Sequence, residues 1–128
     1  LHIAVGKHFS YVALTDALIG AAGMGDIGKM FPDSDMQYKD ISSAELLTRT
    51  LKAIDPKRIL NADCTVIAQQ PRLCGYTDAM CCAIAKLLGC DASRVNVKAT
   101  TEEGLGFTGR CEGIAAHAVV LMEVYGED

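Results

Sequence analysis

The C-terminal segment constrains the fold more than any other part of this sequence. Residues 113–125 have the pattern of one long strand with apolar side chains on both of its faces. One face carries Ile114, Ala116, Ala118 and Val120, and the other carries Val119 and Leu121. A strand that is apolar on both faces must be covered on both faces. We therefore predict that helices of this chain cover one face and that a neighbouring subunit covers the other.

Hydrophobic periodicity predicts the remaining elements. Apolar residues at helical spacing predict helices at about 9–23 and 76–88, and a capping box formed by Ser42 and Glu45 predicts another helix from 42 to about 54. Alternating apolar residues predict strands at 59–69 and 95–99. This order predicts a single α+β domain over residues 1–128, a two-layer sandwich of a mostly antiparallel sheet with helices on one face.

Charge and hydropathy exclude several classes of partner. The net charge of −4 offers no general attraction to nucleic acid or to an anionic membrane, because both require concentrated Lys and Arg. No apolar run approaches the roughly 20 residues that cross a bilayer, and no leader pattern opens the chain. The six cysteines include no C-x-x-C pair, which favours reduced thiols over a zinc or disulfide framework. We therefore expect a soluble, mature chain that binds neither nucleic acid nor membrane.

A segment rich in glycine and aspartate lies between the first two predicted helices. Residues 25–35 contain Asp26, Asp33 and Asp35 among glycines that let the backbone approach a ligand. Grouped carboxylates position hydroxyl groups or hold a hard cation. Because Asp and Gly also build ordinary turns, this segment alone leaves both a ligand loop and a turn open.

Two further segments suggest phosphate and nucleobase binding. Residues 96–110 run from a strand into Thr100, Thr101 and two glutamates, whose hydroxyls, amides and carboxylates suit phosphoryl oxygens and a divalent cation. The alternative is a capped turn made by Thr100 and Glu103. Residues 68–74 follow a predicted strand, and Pro71 prevents further strand pairing there. This loop could recognise a base through its main chain, or it could simply connect a strand to a helix.

Together the three segments resemble the 2-C-methyl-D-erythritol 2,4-cyclodiphosphate synthase family. The resemblance spans residues 13–124 and includes the motifs LTDAL, GDIGKMFPDSD, AQ-x-P, NVKATT and LGFTGR, in that order. It implies a lyase of non-mevalonate isoprenoid biosynthesis. Such an enzyme converts 4-diphosphocytidyl-2-C-methyl-D-erythritol 2-phosphate to 2-C-methyl-D-erythritol 2,4-cyclodiphosphate and releases CMP. It also implies a homotrimer with active sites between subunits, in the cytoplasm or, in a plastid-bearing eukaryote, in the plastid.

In the implied reaction the nucleophile and the electrophile belong to the same substrate molecule. Its 2-phosphate attacks its β-phosphorus, which closes an eight-membered ring and expels CMP. The protein contributes positioning and charge stabilisation rather than a covalent intermediate. The absence of a catalytic triad from the sequence is consistent with that role.

The resemblance assigns roles to the residues at matching positions. The loop around the methylerythritol phosphate portion matches Asp26, Ile27, Gly28, Phe31, Pro32, Asp33, Ser34 and Asp35, with Asp33 as the hydroxyl partner. The cytidine loop matches Ala68, Gln69, Gln70, Pro71, Arg72, Leu73 and Cys74. The phosphate turn matches Thr100, Thr101, Glu102 and Glu103. Thr101 is implied to be the catalytic transition-state stabiliser, and Glu103 the ligand of a magnesium, or manganese, ion. Phe107 and Arg110 match further binding positions, and Arg110 with Glu112 matches the lining of a central cavity that holds an isoprenoid diphosphate.

The start of the chain departs from the family at the zinc site. The family takes zinc ligands from an Asp-x-His pair and from a His four residues before the Asp of its Leu-Thr-Asp motif. Here Val12 stands at that His position, no Asp-x-His pair precedes it, and Ala4 and Val5 replace a His-Ser pair. Since valine has no lone pair for a metal, the family's zinc ligands are unmatched. His8 is either a substitute ligand or an exposed terminal histidine, and we expect His117 to be a satisfied core or interface residue.

Two explanations of these departures stay open. Either the family's first strand with its metal ligands is missing or altered at residues 1–12, or the chain is a homologue that keeps the binding loops without full activity. Three functional hypotheses follow. The leading hypothesis is the cyclodiphosphate synthase itself. The alternative is a catalytically impaired homologue that acts as a trimeric binding protein for cytidine nucleotides or isoprenoid diphosphates. A purely structural oligomer is the third, and saturable CMP binding would eliminate it.

Overall fold

The computed structural model describes residues 2–54 and 57–124. Its helices are α1 (His2–Ala21), α2 (Ile27–Met30), α3 (Ser43–Ala53), α4 (Thr77–Leu88) and α5 (Gly106–Gly109). Its strands are β1 (Lys57–Ile67), β2 (Val95–Thr100) and β3 (Ala115–Val124). Short 3-10 turns lie at Met36–Tyr38, Cys74–Tyr76 and Ala92–Arg94. None of the helices in the described ranges has the length and hydropathy to cross a membrane.

The sheet is mixed, so the prediction of a mostly antiparallel sheet was wrong. The described strands lie in the order β2-β1-β3, with β1 parallel to β2 and antiparallel to β3. The parallel pair follows from the connection through α4, because a helical crossover returns the chain to the same edge before the next strand begins. The α+β class is confirmed, and α1, α3 and α4 pack on the face of the sheet that carries Cys64 and Val66.

The predicted helices form, with two local differences. Helix α1 begins at His2 rather than near residue 9, and Gly6 brings its first turns close enough to α4 that an added Cβ would collide with Met80. At α3 the Ser42 hydroxyl accepts from the Glu45 amide at 3.1 Å. The Glu45 carboxylate, however, pairs with Arg49 at 3.0 Å instead of accepting from the Ser42 amide. Only half of the predicted capping box therefore forms.

The hydrophobic core lies between the sheet and helices α1, α3 and α4. Its fully buried apolar side chains are Leu14, Leu18, Leu47, Ala62, Cys64, Val66, Met80 and Ile84. On β3, Ala116, Ala118 and Val120 pack against this core, which confirms the predicted cover on one face. On the other face Val119 is 69% exposed and Leu121 is 61% exposed in the single chain. Cover of that face by a neighbouring subunit stays a prediction.

Truncation of Leu47 tests the packing of α3 into this core. Because Leu47 is fully buried, Leu47→Ala should lower the free energy of unfolding by about 2–5 kcal/mol, from lost burial plus the cavity left behind. Urea denaturation followed by circular dichroism measures the change. Met36→Ala is the control, since Met36 is 72% exposed and its truncation should change stability by less than about 0.5 kcal/mol. Equal effects of the two variants would contradict the assigned core.

Candidate functional site

A cavity opens where the parallel strands β1 and β2 end. Its volume is about 240 Å³, and its lining consists of Val66, Ala68, Pro71, Arg72, Leu73, Cys74, Ala99, Thr100 and Thr101. The Ala68 amide donates to the Thr100 carbonyl at 3.0 Å, which continues the strand pairing into the two loops. Ligands of α/β proteins commonly bind beyond the carboxyl ends of parallel strands. We call this space the nucleotide cavity, after the ligand that the family resemblance implies for the two loops that line it.

The nucleotide cavity brings together two of the three predicted segments. From the cytidine loop it includes Ala68, Pro71, Arg72, Leu73 and Cys74, and from the phosphate turn it includes Thr100 and Thr101. Gln69, Gln70, Glu102 and Glu103 lie beside these residues in the chain but do not line the cavity.

Two lining residues were missed by the sequence analysis. Val66 and Ala99 are paired on the parallel strands β1 and β2 and lie near their carboxyl ends. The helical pattern between the two strands was the available signal, since a helical crossover implies parallel pairing.

The phosphate turn has a defined backbone geometry. Glu103 and Gly104 both have positive φ, at 54° and 82°. The predicted capped turn of Thr100 and Glu103 is replaced by one in which the Thr101 hydroxyl oxygen accepts from the Glu103 amide at 3.2 Å. The Gly104 amide donates to the Gln69 side-chain carbonyl at 3.1 Å. Because a hydroxyl both donates and accepts, Thr101 keeps its proton for a ligand.

A close approach of two glycines supports the same turn. A Cβ atom at Gly109, in α5, would collide with the backbone of Gly104. Gly104 itself occupies the left-handed region, which L side chains rarely adopt. The glycines of this segment therefore allow α5 to pack directly under the turn.

The aspartate loop forms capped turns, and its predicted role as a ligand loop stays a prediction. Asp26 accepts from the Lys29 amide at 2.9 Å and begins α2, and Asp35 accepts from the Gln37 amide at 3.1 Å. The Gln37 side-chain amide also donates to Asp35, and these hydrogen bonds lower the pKa of that carboxyl. These two carboxylates therefore cap local turns. Asp33 is exposed and has no described hydrogen-bond partner, so it is free for a ligand.

The aspartate loop lies outside the nucleotide cavity of the same chain. Phe31 is 8% exposed and meets the Tyr38 ring edge-on with a centroid distance of 5.2 Å. Ile27 lines a different cavity, beside α1. None of the described residues 26–35 lines the nucleotide cavity. Within one chain the three predicted segments therefore do not form one continuous site.

Phe107 and Arg110 also lie away from the nucleotide cavity. Phe107 is 52% exposed and lines a separate cavity of about 330 Å³, together with Glu102 and His117. The Arg110 guanidinium makes two hydrogen bonds to the Glu112 carboxylate, each 3.1 Å long. His117 is exposed in the single chain, so the prediction of a core histidine was wrong, while an interface role stays a prediction.

The residues around α1 do not fit a zinc site. A cavity beside this helix is lined by Phe9, Val12, Ala13, Asp16, Ile27 and Ala116. Only Asp16 of that set carries a side chain that binds metals. His8 instead lies with its Nδ1 atom 3.2 Å from the Ser43 hydroxyl. Within residues 2–54 and 57–124 no three His, Cys, Asp or Glu side chains are grouped to hold a metal, so His8 as a substitute ligand gains no support.

Comparison with known proteins identifies the family. The YgbB family profile matches residues 9–123. The chain belongs to this family. A 2-C-methyl-D-erythritol 2,4-cyclodiphosphate synthase of Geobacillus kaustophilus is 56% identical over 113 residues, covering 87% of this chain and 72% of that protein. A protein of the same name from Actinobacillus succinogenes is 56% identical over 112 residues, covering 86% and 71%. The family predicted from the sequence is therefore confirmed.

Solved structures of this family share the fold. The bifunctional IspDF from Campylobacter jejuni superposes with a TM-score of 0.83 at 44% identity, covering 90% of this chain and 32% of that one. The CDP complex of IspF from Plasmodium falciparum gives a TM-score of 0.78 at 30% identity, covering 92% and 72%. The IspF-like fold of this chain is therefore established.

Gly109→Ala tests the contact between α5 and the phosphate turn. Because the added methyl group meets the Gly104 backbone, the variant should lose about 1–3 kcal/mol of unfolding free energy through overpacking. Urea denaturation measures the loss. Gly20→Ala is the matched control, since open space surrounds Gly20 in α1 and alanine there should stabilise by about 0.5–1 kcal/mol. An unchanged stability in Gly109→Ala would contradict the close packing.

Proposed function

We propose that this chain is a 2-C-methyl-D-erythritol 2,4-cyclodiphosphate synthase. The main structural support is that the cytidine loop and the phosphate turn line one cavity at the ends of β1 and β2. Relatives that carry this name are 56% identical to the chain. The substrate is 4-diphosphocytidyl-2-C-methyl-D-erythritol 2-phosphate, and the products are the cyclic diphosphate and CMP.

The nucleotide cavity suits the cytidine part of this substrate. Its volume of about 240 Å³ falls below the roughly 300 Å³ at which pockets for whole drug-sized ligands begin. The methylerythritol phosphate portion therefore extends beyond it. Inside the loop the Ala68 amide and the Leu73 carbonyl are already hydrogen-bonded within the protein. The backbone between these two residues and the exposed Arg72 side chain are therefore available to bind the base and the phosphate.

A homotrimer accounts for the position of the aspartate loop. That loop does not reach the nucleotide cavity of its own chain, so Asp33 from one subunit serves the cavity of the next. The exposed Val119 and Leu121 side chains supply an apolar face for such an assembly. In it each substrate lies between two subunits.

The chemistry uses groups that stabilise charge without attacking the substrate. An oxygen of the 2-phosphate forms a bond to the β-phosphorus, and the bond from that phosphorus to the oxygen bridging the α-phosphate breaks. The bridging oxygen leaves with CMP and keeps the electron pair. The Thr101 hydroxyl donates to a phosphoryl oxygen whose charge grows during this transfer.

Glu103 fits a magnesium ion, because magnesium binds through one or two carboxylates together with substrate phosphates. Bound there, the ion would neutralise charge on two phosphate groups. Glu102 adds a further negative charge to the turn and is exposed. The set of residues around Val12 does not fit zinc, and no step proposed for this chain depends on that metal.

A second candidate function rests on the valine at position 12, where the family has a metal-binding histidine. With Val12 beside Asp16, the chain retains the nucleotide cavity but lacks the family's metal ligand on α1. A trimeric protein that binds cytidine nucleotides or isoprenoid diphosphates without turnover is the resulting alternative. Arg110 and Glu112 would line its central cavity, as they would in the enzyme.

Turnover distinguishes the two candidates, and Thr101→Val tests the proposed stabiliser. The protein is incubated with the substrate, magnesium and zinc, and phosphorus NMR follows the release of CMP. Thr101→Val keeps the side-chain shape but removes the hydroxyl, and with it both the proposed donor and the acceptor of the Glu103 amide, so kcat should fall about 100- to 1000-fold. Thr48→Val, on α3, removes a hydroxyl that bonds only the Ala44 carbonyl and should leave kcat unchanged. CDP binding without CMP release in the wild type would reject the synthase in favour of the binding protein.

Protection of Cys74 tests nucleotide binding without turnover. Cys74 is exposed and lines the nucleotide cavity, whereas Cys82 and Cys111 are exposed outside it. Saturating CDP should slow alkylation of Cys74 by iodoacetamide and leave the other two rates unchanged, as measured by peptide mass spectrometry. Cys64 should remain unmodified, because burial raises its pKa to about 12. Equal protection of all three exposed thiols would indicate a global effect and contradict binding at this cavity.

A further inference from the structure

The Gln69 side chain joins the cytidine loop to the phosphate turn. Its Oε1 atom accepts from the Gly104 amide at 3.1 Å, across 35 residues of sequence. Gln69 lies two residues beyond the end of β1 and is half-buried, whereas Gly104 is exposed. Strand pairing between these two parts of the chain ends at the Ala68 to Thr100 hydrogen bond. The turn beyond Thr100 therefore depends on other contacts for its position.

The other contacts of the turn are mostly internal to its own segment. The Glu103 amide bonds to Thr101, the Leu105 amide to Glu102 and the Gly109 amide to Leu105. Residues 102–107 are all exposed, so buried apolar contacts contribute little to their position. Within residues 2–54 and 57–124, the side-chain hydrogen bond that links residues 101–105 to the cytidine loop is the one from the Gly104 amide to Gln69. This hydrogen bond therefore connects the turn to the loop that lines the nucleotide cavity.

We propose that Gln69 is a positioning residue that holds Thr101 and Glu103 in register with a bound nucleotide. This inference rests on the proposed synthase function but assigns Gln69 a different role from the base contact that the resemblance implies. Its side-chain oxygen is engaged by the protein, so it acts through the turn. Loss of that bond would let Thr101 and Glu103 shift while the strand ends and the cytidine loop, which form the rest of the cavity lining, stay in place. Displacements of about 1 Å at positioned groups can slow a reaction about 100-fold.

Three variants separate positioning from simple stability. Gln69→Ala removes the acceptor, Gln69→Glu retains an acceptor oxygen at the same reach, and Thr48→Ala removes a hydrogen bond of 2.9 Å on α3 as a matched control. We expect Gln69→Ala to lower kcat about ten- to a hundredfold while KM changes less than about threefold. Gln69→Glu should recover most of kcat, and Thr48→Ala should keep wild-type kcat. Equal kcat in Gln69→Ala and wild type would overturn the inference and leave the synthase function intact.

An NMR measurement tests the same contact independently of turnover. In Gln69→Ala the Gly104 amide should exchange with solvent faster, and the amide signals of Thr101 and Glu103 should shift with it. Gln69→Glu should restore slow exchange. If the wild type binds CDP but releases no CMP, the proposed function fails, and these spectra still decide whether Gln69 positions the turn. Changes confined to residues 68–70 would overturn the positioning role.

Discussion

Parallel pairing between β1 and β2 is the constraint on which the site depends. The register from Ala62 with Val95 to Ile67 with Thr100 brings both strands to an end at the same edge of the sheet. The Ala68 to Thr100 hydrogen bond extends that register by one step into the loops. Since the carboxyl ends of parallel strands share an edge, the cytidine loop and the phosphate turn begin side by side. Helix α4 makes this possible, because it carries the chain back across the sheet between the two strands.

Hydrogen bonding within the protein decides which polar groups remain for a ligand. The Thr101 oxygen accepts from Glu103, so the hydroxyl proton is available, and the Gln69 oxygen is occupied by Gly104. Asp26 and Asp35 cap local turns, whereas Asp33 between them has no described partner. These aspartates carry the same carboxylate group within ten positions of sequence, yet they differ in their hydrogen bonds. The difference lies in which backbone amides they already satisfy.

The two faces of β3 connect the fold to the proposed assembly. One face packs against the core and is partly buried, while the other leaves Val119 and Leu121 exposed in a single chain. The same chain keeps the aspartate loop apart from its own nucleotide cavity. An assembly through the exposed face would bury these apolar side chains and complete the site at the same time.

At the position of the family's zinc ligand the difference is chemical, because Val12 has an alkyl group where a ligand needs a lone pair.

The sequence by itself determined the helices α3 and α4, the three strands, the family and the two loops of the nucleotide cavity. These predictions succeed because periodicity, capping residues and contiguous motifs are local properties of the chain. It did not determine the parallel pairing of β1 with β2, the contributions of Val66 and Ala99, or the bond from Gly104 to Gln69. Those contacts join residues 30 or more positions apart, and only the packing of α4 against the sheet decides which distant residues become neighbours. The tertiary structure also separated capping aspartates from a free one, because that distinction depends on which amides lie within hydrogen-bonding distance.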